Sequence, residues 1–250
     1  MSQISKVLIA YDGSQCSDAA LQDLRRAGLP SGIEAIVVTL ADVIVPPPDD
    51  ELSDEPAIRI PEVEQRAIAH AQKAINQAQS FAELGRRRLS VAFPSWKVRT
   101  VVDADAPAWA VIKMADQLKA DLIVVGSHGH SSAGGRLILG SVSQRVLYEA
   151  GCSVRVARCS EERRDEATRI IVGFSGSPDS QEAARAVASR AWPTGTEVRL
   201  VSANGISKPD SLVGVMNDFR AMGLAVSEAN HADEPISELQ RRMRGGVYVL

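Results

Sequence analysis

Apolar residues recur along this chain in two alternating rhythms. Val7 to Ala10, Ala35 to Leu40, Trp96 to Val102, Asp121 to Val125 and Ser153 to Ala157 are short runs rich in Val, Ile and Ala, the pattern of strands. Between them the apolar positions take a helical spacing: Ala20, Leu21, Leu24 and Ala27 within Ser17 to Ala27, and Ala67, Ala71, Ile75, Ala78 and Phe81 within Pro61 to Arg88. Ala108, Val111, Ile112, Ala115 and Leu118 form a third stripe, opened by Asp105-Ala106-Pro107, where an acidic cap precedes a proline in the first turn. Ser141 to Glu149 is a fourth helix. Strand, helix and strand joined by short turns make the unit of a parallel sheet. Asp121 to Val125, nearly all apolar, belongs inside that sheet. Two stretches break the rhythm: Val43 to Ile60, a polar loop holding Pro46-Pro47-Pro48, and Gly126 to Gly140, rich in glycine.

After Ser160 to Ala167, a charged linker, the pattern restarts. Lys6 laid over Arg169 aligns the two stretches without gaps: Gly13-Ser14 falls on Gly176-Ser177, Ser17 on Ser180, Pro30 on Pro193, Gly32 on Gly195, Glu34 on Glu197 and Val38 on Val201. Unrelated βαβ units share a hydrophobic pattern; they rarely share turn glycines and a cap serine in one register. Asp233-Glu234-Pro235 then matches Asp105-Ala106-Pro107, and Gly246 to Leu250 matches the strand Asp121 to Val125. The reading is a duplication, with a domain over 1–159, a linker over 160–167, and over 168–250 a truncated copy lacking the glycine loop, the fourth helix and the fifth strand.

Composition narrows the class. Aromatic residues are only 4% of the 250, so the core must be Val, Ile, Leu and Ala, the filling of a helix-covered parallel sheet. A net charge of −3 gives no footprint for nucleic acid, and Arg86-Arg87-Arg88 reads as the solvated end of a helix. No apolar run reaches bilayer length and the N-terminus has no leader pattern, which predicts a cytoplasmic protein without a membrane partner. Cys16, Cys152 and Cys159 are odd in number and read as free thiols; the histidines and cysteines lack zinc spacing. Trp109 and Trp192 read as packing residues.

Chemistry is carried by two loops. Gly126-Ser127-His128-Gly129, a spacer, and Gly140-Ser141-Val142-Ser143 follow an apolar strand and open a helix. The first turn of a helix leaves N–H groups unpaired and partly positive, and glycines let phosphate oxygens approach the backbone. Ser141 and Ser143 can add hydroxyl donors. Asp12-Gly13-Ser14 ends the first strand; its carboxylate can accept from a ribose hydroxyl, help hold a divalent ion, or only cap the next helix. Both loops belong at the carboxyl ends of the strands, where open parallel sheets bind ligands.

These residues resemble the universal stress protein family, whose signature is Gly-x-x-Gly, nine residues, then Gly-Ser or Gly-Thr. The resemblance covers residues 1 to 159 and, in part, 168 to 250. It implies an α/β, Rossmann-like adenine-nucleotide-binding fold: a five-stranded parallel sheet with helices on both faces, followed by a second truncated copy. It implies ATP as ligand, with Mg²⁺ or Mn²⁺. By position, Ala10 and Leu40 would line the adenine pocket, and Asp12, with Gly13 in its turn, would meet the ribose or the metal. Val125, Gly126, His128 and Gly129 would surround ribose and phosphates, and Gly140, Ser141, Val142 and Ser143 would hold phosphates. The spacer His130 to Leu139 has ten residues, one more than the family pattern, with the extra residue placed at Ser132-Ala133-Gly134-Gly135. In the second copy Ser175 stands at the place of Asp12, so no nucleotide is expected there. Family domains pair through the fifth strand, which implies a homodimer through the first domain.

The expected function is nucleotide-dependent stress response or signalling without a catalytic triad. An enzyme reading stays open, at most slow ATP hydrolysis. Two alternatives stand beside it. One is a nucleotide-free protein–protein interaction module. The other is an ATP pyrophosphatase-like adenylating enzyme, suggested by Ser175-Gly176-Ser177-Pro178-Asp179-Ser180.

Overall fold

The structure, a computed structural model, describes residues 4–41, 43, 61–129, 139–159, 168–202, 210–230 and 248–249. These residues form two compact units, each built on its own parallel sheet. The Pro-rich stretch after Val43, His130 to Ile138 of the glycine loop, the charged linker and Asp233-Glu234-Pro235 lie outside the described residues.

In the first unit β1 (Lys6–Ala10), β2 (Glu34–Leu40), β3 (Lys97–Asp103), β4 (Leu122–Gly126) and β5 (Ser153–Ala157) lie in the order β3-β2-β1-β4-β5, all parallel. The connecting helices are α1 (Gln15–Asp23), α2 (Pro61–Ala92), α3 (Pro107–Leu118) and α4 (Ser141–Glu149). From β1 the chain steps outward through β2 to β3, then returns to the other side of β1 for β4 and β5. The direction of winding reverses between β1 and β4, and that switch point opens a crevice at the strands' carboxyl ends.

Strand residues alternate between the faces, so each face needs its own helices. Leu8, Ile36, Val38, Ile123 and Val125 pack with Val111, Ile112 and Ala115 of α3 and Val146 of α4 in one buried core. Val37, between two of them, faces α2, close enough that a Cβ on Gly85 would lie 3.0 Å from it. Each buried Val, Leu or Ile contributes about 1.5–3 kcal/mol against the ordering entropy of the chain. The α3 stripe predicted from spacing is buried, with Leu118 at its margin.

Local chemistry moved several boundaries. α1 begins at Gln15 because the Ser14 hydroxyl accepts from Ser17 N–H at 3.2 Å and caps it, and a 3-10 turn, Leu24–Arg26, ends it early. α2 runs one turn beyond Arg88. Arg88 is not simply solvated: its guanidinium pairs with Asp18 and donates to the Tyr11 hydroxyl. Asp105 does not cap α3. Ala106 occupies the cap without a side-chain bond, and the Asp105 carboxylate accepts from the adjacent Ala106 N–H at 2.7 Å. Trp109 is not a packing residue, being 50% exposed, whereas Trp192 donates Nε1–H to Val187 O and packs against its unit's core.

Two polar anchors hold the sheet away from the crevice. The Asp121 carboxylate, just before β4, accepts from Ser5 N–H, Ser5 Oγ–H and Lys6 N–H at 2.8, 3.0 and 2.9 Å, pinning the start of β1. Arg155 on edge strand β5 is 5% exposed and pairs with Asp23 of α1 at 2.6 Å. Such a desolvated pair ties strand to helix strongly only while both partners are present.

In the second unit β6 (Arg169–Gly173), β7 (Glu197–Ser202), β8 (Ala225–Asn230) and β9 (Tyr248–Val249) lie in the order β8-β7-β6-β9, with α5 (Pro178–Ala188) and α6 (Asp210–Ala221) packed on Ile170, Val172, Val198 and Leu200. Its order matches that of the first four strands. Arg169 pairs with Glu197 as Lys6 does with Glu34. Gly176 and Gly195 take positive φ of 79° and 84°, against 77° and 82° at Gly13 and Gly32. Ser177 caps Ser180 N–H at 3.2 Å, as Ser14 caps Ser17. No helix among the described residues is long and apolar enough to cross a membrane.

Candidate functional site

The loops after β1 and β4 meet at the switch point. Asp12 leaves β1 with its Oδ1 accepting from Ser14 N–H at 2.9 Å, a local turn that fixes the carboxylate's direction. Gly13 follows with φ of 77°, and its Hα side faces the ring of Phe81, which a Cβ would approach to 2.6 Å. Tyr11, buried before Asp12, donates its hydroxyl to Asp18 at 2.6 Å and accepts from Arg88. Burial pushes the Tyr11 phenol up, with Arg88 opposing, so it remains a neutral donor that ties the loop to α1 and α2.

The β4 loop approaches from the other side. A Cβ on Gly126 would lie 2.8 Å from Cys16 C, and 2.9 Å from both Cys16 O and Ser17 N, so the strand end lies directly against the backbone of α1. A Cβ on Gly129 would come within 2.9 Å of Asp12 Oδ2. Asp12 and Gly129 are therefore brought together, with Gly126 seated on the start of α1.

The far end of the glycine segment returns to the same place. The Ser127 carbonyl accepts from Gly140 N–H at 2.8 Å and from Ser143 Oγ–H at 2.9 Å, while Ser127 N–H donates to Ala157 O at 2.7 Å. The first turn of α4 thus lies beside the Ser127–Gly129 loop, although the spacer carries one residue more than the family pattern. Gly140 is the N-cap and supplies no side-chain bond to the helix, unlike Ser14 and Ser177 on α1 and α5. The first N–H groups of α4 are left for solvent or a ligand. Ser141 is exposed and Val142 half-buried. Ser143 is only 2% exposed, and its single hydroxyl hydrogen is shared between Ser127 O and Gly140 O, at 2.9 and 3.0 Å. That hydroxyl ties the start of α4 to the loop.

Ala10 and Leu40 are half-buried at the ends of β1 and β2, on the face they share with the α3–α4 core, and Val125 is fully within it. His128 sets Nδ1 3.2 Å from Ser127 Oγ, and its Nε2 is shut off from solvent without a hydrogen-bond partner among the described residues. Ser127 and Cys16 were not picked out by sequence reasoning. Ser127 occupies a variable position of Gly-x-x-Gly, and nothing in the sequence places Cys16 beneath it. Cys16 is buried and Cys152 half-buried, and neither forms a disulfide among the described residues.

A divalent ion bound with a nucleotide takes most of its oxygens from phosphates and water and needs few protein carboxylates. Asp12 is placed to supply one. No group of three or more His, Cys, Asp or Glu that could hold a metal occurs among the described residues. In the second unit the Ser175 and Ser177 hydroxyls bond each other at 3.0 Å while Ser177 caps α5, so this loop is built as a turn like Asp12-Gly13-Ser14.

Together these features define an open, doubly wound α/β protein whose crevice combines a carboxylate, a close-packed glycine loop and an uncapped helix start. The chain belongs to the universal stress protein family: the family's sequence profile matches residues 3–158. A universal stress protein of Mycobacterium tuberculosis is 32% identical over 158 residues, 63% of this chain and 47% of its own length. The chain thus spans about half the length of that relative. A Thermus aquaticus universal stress protein is 30% identical over 61% of this chain and 97% of its own. The crystal structure of an Archaeoglobus fulgidus universal stress protein, 19% identical, covers 99% of this chain and 87% of its own at a TM-score of 0.64. A universal stress protein solved in complex with cAMP is 28% identical and covers 64% of this chain and 100% of its own, at a TM-score of 0.41.

Proposed function

We propose that residues 1–159 bind an adenine nucleotide, ATP with Mg²⁺ or Mn²⁺, as the sensing step of a cytoplasmic stress-response or signalling protein. The observation that carries this reading is the Ser127 carbonyl. By accepting from both Gly140 and Ser143 it holds the uncapped start of α4 beside the Ser127–Gly129 loop, whose Gly129 lies against Asp12. Partly positive N–H groups then stand at one side of the crevice and an acceptor-only carboxylate at the other. That polarity suits a ligand with phosphates at one end and hydroxyls or a bound cation at the other.

Residues 168–250 are a degenerate copy that leaves nucleotide alone. The shared register, glycine conformations and caps support duplication. Ser175 at the place of Asp12 removes the carboxylate. Edge strand β5 is the surface for a homodimer, read by light scattering as twice the chain mass.

Calorimetry of ATP with Mg²⁺ on the wild type, Asp12→Ala and Gly140→Asp tests the site. Both substitutions should weaken binding at least tenfold, about 1.4 kcal/mol. An aspartate at the helix start opposes phosphate by charge and bulk. A wild type that binds no adenine nucleotide refutes the reading and leaves the interaction module in first place.

A further inference from the structure

One feature of the crevice is unused by phosphate binding: a line of side chains running from α1 to a buried, unpartnered nitrogen. Ser127 Oγ–H donates to Cys16 Sγ at 3.8 Å. A serine hydroxyl has one hydrogen and two lone pairs. With its hydrogen directed at sulfur, Ser127 Oγ faces His128 Nδ1, 3.2 Å away, as an acceptor. A neutral imidazole carries one N–H; held at Nδ1 by that acceptor, it leaves Nε2 as a bare acceptor. Both Cys16 and Ser127 are buried, so water does not compete for either bond. Nε2 is itself shut off from solvent without a partner among the described residues. An acceptor in that state costs free energy until something donates to it.

We propose that Cys16 and Ser127 are positioning residues that hold His128 as its Nδ1–H tautomer, so that Nε2 selects a ribose hydroxyl and disfavours phosphate. This rests on the nucleotide reading of the same site. A phosphate oxygen has no hydrogen for a bare nitrogen. A hydroxyl does, and the neighbouring Gly129 touches Asp12, a second acceptor-only group. Two acceptors at one loop junction match a diol. Phosphates are left to the α4 N-terminus, which offers only donors.

The tautomer is read in the free full-length protein, neutral and without nucleotide, from ¹⁵N shifts of the two His128 ring nitrogens. The wild type should show protonated Nδ1 and bare Nε2. Ser127→Ala removes the acceptor for Nδ1–H. Cys16→Val, close in volume, frees the Ser127 hydrogen to turn toward Nδ1. Each variant should move the proton to Nε2. A wild type already carrying Nε2–H, or variants that leave the tautomer unchanged, overturns the relay. Affinities for ATP, 2′-deoxy-ATP and 3′-deoxy-ATP test the selection. The wild type should favour ATP by about tenfold over at least one analogue, the worth of one buried acceptor left unpaired, and Ser127→Ala should bring that ratio close to unity. Equal wild-type affinities for all three overturn the hydroxyl assignment. The expected tautomer in a protein that binds no adenine nucleotide overturns the hydroxyl assignment and the proposed function together, and leaves the relay standing.

Discussion

Gly126→Ala is the substitution whose cost the geometry defines best. The added Cβ would lie 2.8 Å from Cys16 C and 2.9 Å from Cys16 O and Ser17 N, where ordinary contacts begin at 3.4 Å. Each approach is about 0.5–0.6 Å too short, and all the opposing atoms are helix backbone, which has no rotamer to change. Relief requires α1 to move off β4, against buried Ala20 and Leu21 and the Arg155–Asp23 pair. Overpacking of this kind costs about 1–3 kcal/mol, and rigid backbone puts it at the upper end, about 2–3 kcal/mol. Gly173→Ala is the control: it lies at the end of β6, and an added Cβ would meet nothing within 4 Å. Urea denaturation followed by circular dichroism, with hydrogen exchange of β4 amides to localise the loss, reads both. Gly126→Ala should lower the midpoint of the first unit and raise exchange across β4, while Gly173→Ala stays near wild type. Equal midpoints for the two variants would refute the argument.

Thr39 is 1% exposed, and its hydroxyl has no hydrogen-bond partner among the described residues, so Thr39→Val should raise stability by about 1 kcal/mol in the same urea assay. A fall in stability would mean the hydroxyl is satisfied in solution. Burial raises the Asp121 carboxyl's pKa, but hydrogen bonds from Ser5 and Lys6 outweigh it and leave it below its ordinary 3.8. A depressed folded pKa adds stability that is present above the unfolded value and lost as pH falls through the folded one. Below about pH 4, then, the wild type should lose stability more steeply than Asp121→Asn, and parallel pH curves would contradict the anchor.

The sheet was legible because strand and helix spacings stay regular throughout the first unit, and because the ungapped repeat carried its turn glycines and cap serines with it. The register Arg169 to Glu197 follows from that alignment alone. Misreadings came where a residue type has two uses. Asp105 looks like a cap, yet its carboxylate satisfies the N–H of its own neighbour. Arg88 looks like a solvated helix end, but a buried tyrosine and Asp18 lie within its reach. Trp109 has the size of a core residue and sits on the outer side of α3. Such outcomes depend on which partner the fold brings near, and spacing along the chain carries no record of it.

The glycine segment shows the same limit from the other side. Its glycines leave room for phosphate, but Gly126 is required first by the packing of β4 on α1, before any ligand is considered. The spacer carries one residue more than the family pattern, which bears on the register of its two ends. That register is set elsewhere, by one carbonyl: Ser127 O takes both the Gly140 amide and the Ser143 hydroxyl, and Ser127 N–H is anchored on Ala157 of β5. With both ends fixed by hydrogen bonds, a loop of this length pays little entropy for one more residue, since closure cost rises only with the logarithm of length. Spacer length is therefore a weak guide to whether the crevice forms. The stronger one is the pair of groups that close it, an unobstructed amide at Gly140 and a hydroxyl three residues on. The resemblance implies Ser143 as a phosphate ligand; in the fold its buried hydroxyl fixes the start of α4 on the loop after β4, through Ser127 O.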